Sequence, residues 1–268
     1  MPIEIDDIQF DWVQAELILD HEVDRGDSDG PSVQRIQEWL TLNGLAVVVD
    51  RQFGPATEYA VRRFQSYRDL PKTGVVDAAT FAELTRPLLR SLAPPSTPPS
   101  SFSSAVVAAA RQHRREQPRE IGGSNLGPWV RVYMDGRDGL DRPWCAGFAC
   151  FMVRQAAWHA GIPEPIPNQV GCDQLSADAM ATGRFISGTD VDAGATPLEA
   201  IPRGSFFVQR RAPDDWNHVG IVISAMDRVM ETIEGNTNDG GSREGHEVCR
   251  RIRGLKDKDF ITLQPRSG

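Results

Sequence analysis

The stretch Ala93-Pro94-Pro95-Ser96-Thr97-Pro98-Pro99-Ser100-Ser101 constrains the fold of this chain more than any other segment. Its prolines fix φ and remove backbone donors, and each keeps the residue before it out of the helical region. Serine and threonine between them offer nothing apolar to bury, so the segment reads as an extended linker. The chain of 268 residues is therefore expected to fold as two domains, residues 1–92 and 105–268, with 93–104 as the linker. Each piece is long enough to bury a core of its own.

Composition narrows the classes. Apolar residues at 40% and charged residues at 25% are ordinary for a globular chain. Ten acids and the single base Arg25 fall within residues 1–30, so this segment outweighs the chain total of −8 and leaves the remainder close to neutral. That start is expected to be a solvated acidic face. With no basic stripe, nucleic acid is not expected as a partner. Met1-Pro2-Ile3-Glu4-Ile5-Asp6 lacks the basic and apolar regions of a secretory signal, and no apolar run has the length of a membrane span. The four cysteines, Cys145, Cys150, Cys172 and Cys249, have no metal-binding spacing and fit synthesis in a reducing compartment. Cys150, Cys172 and Cys249 read as small buried apolar residues.

Residues 3–19 alternate loosely and suggest a strand or hairpin. Three helices are expected between Gly30 and Leu89. The first follows Pro31-Ser32, buries Val33, Ile36, Trp39 and Leu40, and stops at Asn43-Gly44. The second starts at Gly54-Pro55 and carries Ala60, Val61 and Phe64; the third follows the N-cap Asp77, with Phe81 and Leu84 inward. Val33-Gln34-Arg35-Ile36-Gln37, Phe53-Gly54-Pro55-Ala56-Thr57, Ala60-Val61-Arg62-Arg63-Phe64-Gln65 and Thr73-Gly74-Val75-Val76-Asp77 resemble the peptidoglycan-binding type 1 fold, a three-helix module that accompanies cell-wall hydrolases. These are mostly core and turn positions. Arg51, Gln52, Arg62 and Tyr67 are candidate groove residues, and none is assigned as a ligand contact.

In the second domain, Ala105–Arg115 reads as a helix, and Pro143-Trp144-Cys145-Ala146-Gly147-Phe148 opens another that runs to Gly161. Cys145 then sits in a first helical turn, where unpaired N–H groups and the dipole favour a thiolate. Asn217-His218-Val219-Gly220-Ile221-Val222-Ile223 reads as a strand, with Val219, Ile221 and Ile223 on one face and His218 on the other. The next strand, Met230–Asn236, follows a turn at Asp227-Arg228. Glu234 and Asn236 are two apart and thus on one face, so either could orient the His218 ring. Glu231 faces away. His159 lies fourteen residues along the Cys145 helix, roughly 21 Å off. His21 and His113 read as surface residues. His246, in the stretch Gly240-Gly241-Ser242-Arg243-Glu244-Gly245-His246, is the second choice of base. Asp135, Asp138 and Asp141 read as an exposed turn, and no metal or other cofactor is expected.

These motifs, with Ile233-Glu234-Gly235-Asn236-Thr237-Asn238, resemble a CHAP domain of the NlpC/P60 papain-like superfamily; Ser205 stands in Pro202-Arg203-Gly204-Ser205 where that family usually has aspartate. The resemblance implies an α+β chain in which a three-helix peptidoglycan-binding bundle is joined by the linker to a papain-like domain of N-terminal helices packed on an antiparallel sheet. It implies Cys145 as nucleophile, His218 as base, and Glu234 and Asn236 as orienting residues. It implies a peptidoglycan hydrolase, either an N-acetylmuramoyl–L-alanine amidase or a stem-peptide or cross-link endopeptidase. A catalytically inactive wall-binding protein and a thiol toxin acting on another acyl substrate are the competing readings. Made without a visible signal, such an enzyme would reach the wall or periplasm through delivery machinery, as an endolysin or an antibacterial effector does.

Overall fold

The computed structural model describes residues 3–139, 141, 143–226, 228–238, 240 and 245–264. Asp227 of the expected turn, and 241–244 of the Gly-rich stretch before His246, lie outside the described residues. The chain divides into two compact units. One holds Met1–Ala93 with Arg119–Asp141, the other Pro94–Pro118 with Arg142–Gly268. Residues 119–141 thus pack with the N-terminal helices, although they follow the Pro/Ser stretch in sequence. Among the described residues there are nine α-helices and one antiparallel sheet, so the chain is α+β. No helix of the described residues is long and apolar enough to cross a membrane.

The three helices expected in the first unit are present as α2 (Gly30–Leu42), α3 (Pro55–Tyr67) and α4 (Ala78–Leu92). Proline stands in the first turn of α2 and α3, and the Asp77 carboxylate accepts from the Thr80 N–H at 2.7 Å to cap α4. Val33, Ile36, Trp39, Leu40, Val61, Phe64, Phe81 and Leu84 are all buried. Two buried glutamines pin the connecting turns. Gln37 donates to the Asp50 carboxylate at 2.7 Å and accepts from the Asp50 and Arg51 N–H groups. Gln65 donates to the Val75 carbonyl at 2.8 Å and accepts from the Gly74 N–H. Both hold backbone that would otherwise lack partners. Gly74 has φ +79°, and a Cβ there would lie 2.9 Å from Arg62 Nε.

Two expectations for the acidic start are corrected. Residues 3–19 form a short 3₁₀ turn (Ile5–Asp7) and the helix α1 (Asp11–Leu17), with no strand or hairpin. Ile3, Ile8, Phe10, Val13 and Leu17 are buried, because the apolar spacing also serves a helical turn packed on one side. Nor is the segment wholly solvated: Glu16 is buried against Arg131. Arg131 lies on α6 (Pro128–Tyr133) and also pairs with the fully buried Glu38 at 2.6 Å and with Asp138 at 3.0 Å. Burial pushes the Glu38 carboxyl up, and the guanidinium opposes that shift. Trp129 of α6 meets Trp39 edge-on at 5.8 Å, so this insertion is part of the unit's core.

In the second unit, α5 (Phe102–Arg115) starts three residues before the expected helix, because Ser101 and Ser104 cap it reciprocally. It packs on α7 (Cys145–Ala160), which ends at Gly161 in the left-handed conformation, φ 63°. α7 is buried on nearly every side, so it is a central helix and not a one-faced amphipathic one. His113 corrects a surface expectation: it is fully buried on α5, bonded to Gln155 at 2.8 Å, and burial lowers it to about 4. α8 (Cys172–Ala181), β1 (Phe185–Ile186) and α9 (Gly188–Asp192) follow. The sheet continues with β2 (Phe206–Ala212), β3 (Asp215–Met226), β4 (Val229–Thr237), β5 (Glu247–Gly254) and β6 (Lys258–Ile261), in the order β1-β6-β2-β3-β4-β5. α7 packs on β3 and β4, while Ile186, Val191, Leu198, Ile201, Phe207, Val222, Met230 and Phe260 make a separate apolar cluster. β3 is consequently buried at His218 as well as at Val219, Ile221 and Ile223.

Candidate active site

Cys145 is the first residue of α7 and only 3% exposed. Two close approaches shape this end of the sheet, one against the start of α7 and one between neighbouring strands. A Cβ at Gly235 of β4 would lie 2.7 Å from Phe148 Cβ and 2.8 Å from the Trp144 ring. One at Gly220 of β3 would lie 2.5 Å from Glu234 Cγ and 2.6 Å from Phe207 Cε1. Glycine at 235 lets the start of α7 approach β4 closely, and glycine at 220 leaves room over β3 for the Glu234 and Phe207 side chains.

His218 and Glu234 are brought together on β3 and β4. His218 is 3% exposed, and its Nε2 lies 2.8 Å from Oε2 of Glu234, which is fully buried. Glu234 also accepts from Arg253 Nε at 2.8 Å and Nη2 at 2.5 Å, and from the Thr232 hydroxyl. The buried carboxylate is therefore satisfied on both oxygens, as a charge taken from water must be. His218 Nδ1 is buried with no conventional hydrogen-bond partner, which leaves it as the ring nitrogen available to the Cys145 sulfur. The two side chains interact strongly enough for each to shift the other's titration.

The sulfur of Cys172 is 3.8 Å from that of Cys145. Cys172 departs from the small buried apolar role that its sequence context suggests: it is buried, but its thiol faces the sulfur at the start of α7. A hydrogen bond from Cys172, then pairing with His218 and the Val219 N–H, hold Cys145 well below the ordinary thiol value, against the burial that pushes it up. Burial alone would lower His218, but its interactions with Cys145 and Glu234 outweigh it and raise the ring to about 9. Burial likewise pushes Glu234 up, and Arg253 with His218 more than reverses this, to about 2. These shifts favour the ionised forms of both Cys145 and His218, with the Glu234 carboxylate and the Arg253 guanidinium behind the ring.

The other candidates fall elsewhere. Asn236 is buried beside Glu234 in sequence, but it has φ +53° and sits in a register shift between Glu234 and Thr237. The two-residue alternation that put it on one face with Glu234 does not run through that irregularity, and the Nε2 partner of His218 is Glu234. His246 is largely exposed, 3.9 Å from Glu247. His159 contacts Trp158 at the far end of α7. Glu231 pairs with Arg250. Asp138 accepts from the Gly127 N–H and Arg131, and the described residues contain no group of three or more His, Cys, Asp or Glu placed to hold a metal ion. Thr232 and Arg253 were missed by sequence reading; Thr232 could have been found, since it lies two residues before Glu234 on the same strand.

The titration directions give a first expected result. Cys145 should be alkylated by iodoacetamide at mildly acidic pH, where an ordinary thiol near 8.5 is almost unreactive, and its rate should change again near pH 9 as His218 loses its proton. Peptide mapping of the modified cysteine against pH checks this; a single rise near 8.5 at Cys145 would contradict the ion pair. Folding follows the same groups. The His218 contribution is complete below its ordinary value of 6.5 and is lost as pH rises through about 9. The Glu234 contribution is complete above 4.5 and is lost as pH falls to about 2.

In the first unit, Arg51 lines a cleft of about 730 Å³ together with Asp29, Ser32, Arg35 and Arg131. Gln52 is exposed, Arg62 is engaged by Glu58 and the Lys72 carbonyl, and Tyr67 stacks on Arg63 at 5.1 Å. No curated protein and no solved structure matches the chain. Residues 29–84 match the family model described as a putative peptidoglycan binding domain, so the first unit carries a peptidoglycan-binding type 1 domain, which suggests association with the cell wall.

Proposed function

We propose that the second unit is a CHAP-type, papain-like domain and that the chain is a peptidoglycan hydrolase cutting an amide bond of the wall. The observation that carries this reading is the buried Cys145–His218–Glu234 arrangement at the start of α7. Cys145 thiolate attacks the amide carbonyl carbon, forming a C–S bond while the carbonyl π pair moves to oxygen. The Cys145 N–H, one of those that an α-helix leaves unpaired at its start, faces that oxygen. His218 imidazolium gives its proton to the leaving nitrogen as the C–N bond breaks, then takes one from the water that hydrolyses the thioester. Glu234 holds the ring through Nε2 and is itself kept ionised by Arg253. Asn236, buried in the bulge two residues after Glu234, is kept as a second orienting candidate with no step of its own.

The peptidoglycan-binding domain favours the wall as substrate over another acyl compound, and a fold alone would not make that choice. Incubation of the full-length protein with purified sacculi, followed by mass spectrometry of the released fragments, tests it. A new N-terminal L-alanine identifies an amidase acting at N-acetylmuramoyl–L-alanine, and a new stem or cross-link amine identifies an endopeptidase. Sacculi that bind the protein and release no new amine would instead establish a wall-binding protein without hydrolysis.

A further inference from the structure

The mechanism uses one sulfur, yet two lie together. Cys172 is the first residue of α8 as Cys145 is of α7, and the sulfurs are 3.8 Å apart in a region where Cys172 is 8% exposed and Cys145 3%. The start of α8 is held in place: the Asp173 carboxylate accepts from the Trp216 N–H of β3 at 2.6 Å, and the Trp216 indole donates to buried Asp259 at 2.8 Å. Cys172 is therefore tethered to the same strand that carries His218. Bond formation requires the sulfurs to close from 3.8 Å to about 2.05 Å.

We propose that Cys172 is the resolving thiol of a reversible oxidative switch, closing a Cys145–Cys172 disulfide when Cys145 is oxidised. The off-state matters biologically only if Cys145 is the nucleophile proposed above, but the chemistry of the pair does not depend on it. A peroxide supplies the oxidising equivalents. The Cys145 thiolate attacks one peroxide oxygen, the O–O bond breaks, and Cys145 becomes a sulfenic acid with release of hydroxide. The Cys172 sulfur then attacks the Cys145 sulfur, an S–S bond forms, the S–O bond breaks, and the Cys172 proton leaves with the oxygen as water. Two equivalents of a thiol reductant return both cysteines to thiols and are themselves oxidised to a disulfide.

The order of events follows from the resting site. Cys145 is the thiolate and reacts first. Cys172 is held as a thiol well above its ordinary value, first by its hydrogen bond to Cys145 and then by burial. Conversion of the neighbouring thiolate into a neutral sulfenic acid removes the first of those causes, so Cys172 becomes easier to deprotonate at the moment when its attack is required. Closure takes the nucleophile out of its pairing with His218 and keeps it from irreversible oxidation to sulfinic acid.

The full-length protein is treated with a small excess of hydrogen peroxide, alkylated and mapped by mass spectrometry. The expected result is loss of two hydrogens, a linked peptide joining the Cys145 and Cys172 segments, and loss of sacculus solubilisation that dithiothreitol restores. In Cys172→Ser, and in Cys172→Ala as a second variant of different polarity, Cys145 should instead reach sulfinic or sulfonic acid, and dithiothreitol should restore nothing. Equal sulfinic acid at Cys145 in wild type and both variants, with no linked peptide, would overturn the proposal. A linked peptide in a protein whose reduced form never releases wall fragments would support the thiol pairing and defeat the hydrolase reading.

Discussion

Cys145→Ala should lower the release of wall fragments by at least about 10³-fold, because removing the nucleophile of a covalent mechanism leaves only binding and oxyanion stabilisation. The fold should survive, since alanine occupies the same helical position with only the sulfur removed from a buried site. Binding to sacculi should be unaltered, since the peptidoglycan-binding domain lies at residues 29–84. The variant should also leave the His218 ring without the thiolate that raises it, so the imidazole titration should move down from about 9. NMR of the His218 ring together with a fragment-release assay checks both statements. Wild-type rates in the variant would remove Cys145 from the chemistry altogether.

Glu234→Gln carries the second large effect, and it falls on stability as well as rate. Glu234 is fully buried and is bonded to His218, Thr232 and Arg253. An amide of the same shape cannot accept on both oxygens, so one donor of Arg253 or His218 is left facing an NH₂ group. Removing one partner of a buried charged network costs about 3–5 kcal/mol. For a unit of this size that lowers the melting temperature by roughly 6–20 °C. The rate should fall by roughly 10²–10⁴-fold, as happens when the group orienting a catalytic imidazole loses its charge. Calorimetry at pH 6 separates the two effects, because there both the carboxylate and the imidazolium contribute to folding. A variant as stable as wild type, with unchanged kcat, would show that the His218–Glu234 contact has no bearing on either.

Legibility in the sequence divided along physical lines. Features fixed by local chemistry were readable: the three helices of the first unit, from their prolines, caps and apolar spacing, and the helix behind Cys145 with its terminal Gly161. The strands carrying His218 and Glu234 were readable from their β-branched content. Residues 3–19 were not, because a few loosely spaced apolar residues fit a strand and a short helix equally well. His113 was misplaced because its neighbours on α5 are basic while its own side packs against α7. The bulge at Asn236 defeats the two-residue alternation that any strand argument assumes. Cys172 could not have been found, since its meeting with Cys145 depends on how the chain between α7 and α8 returns, and no spacing encodes that.

The assignment of residues 119–141 to the first unit has a consequence for how this protein can be taken apart. The backbone passes from one unit to the other at 93/94, again at 118/119 and once more at 141/142. Excising everything before the Pro/Ser stretch would strip Arg131 of Glu16 and Glu38 and leave Trp129 without Trp39. A module that in sequence looks like a detachable bead is thus completed by a segment synthesised after the linker, so residues 1–93 by themselves lack part of their own unit, whereas the stretch from 94 onward holds the whole of the second unit with 119–141 as an insertion.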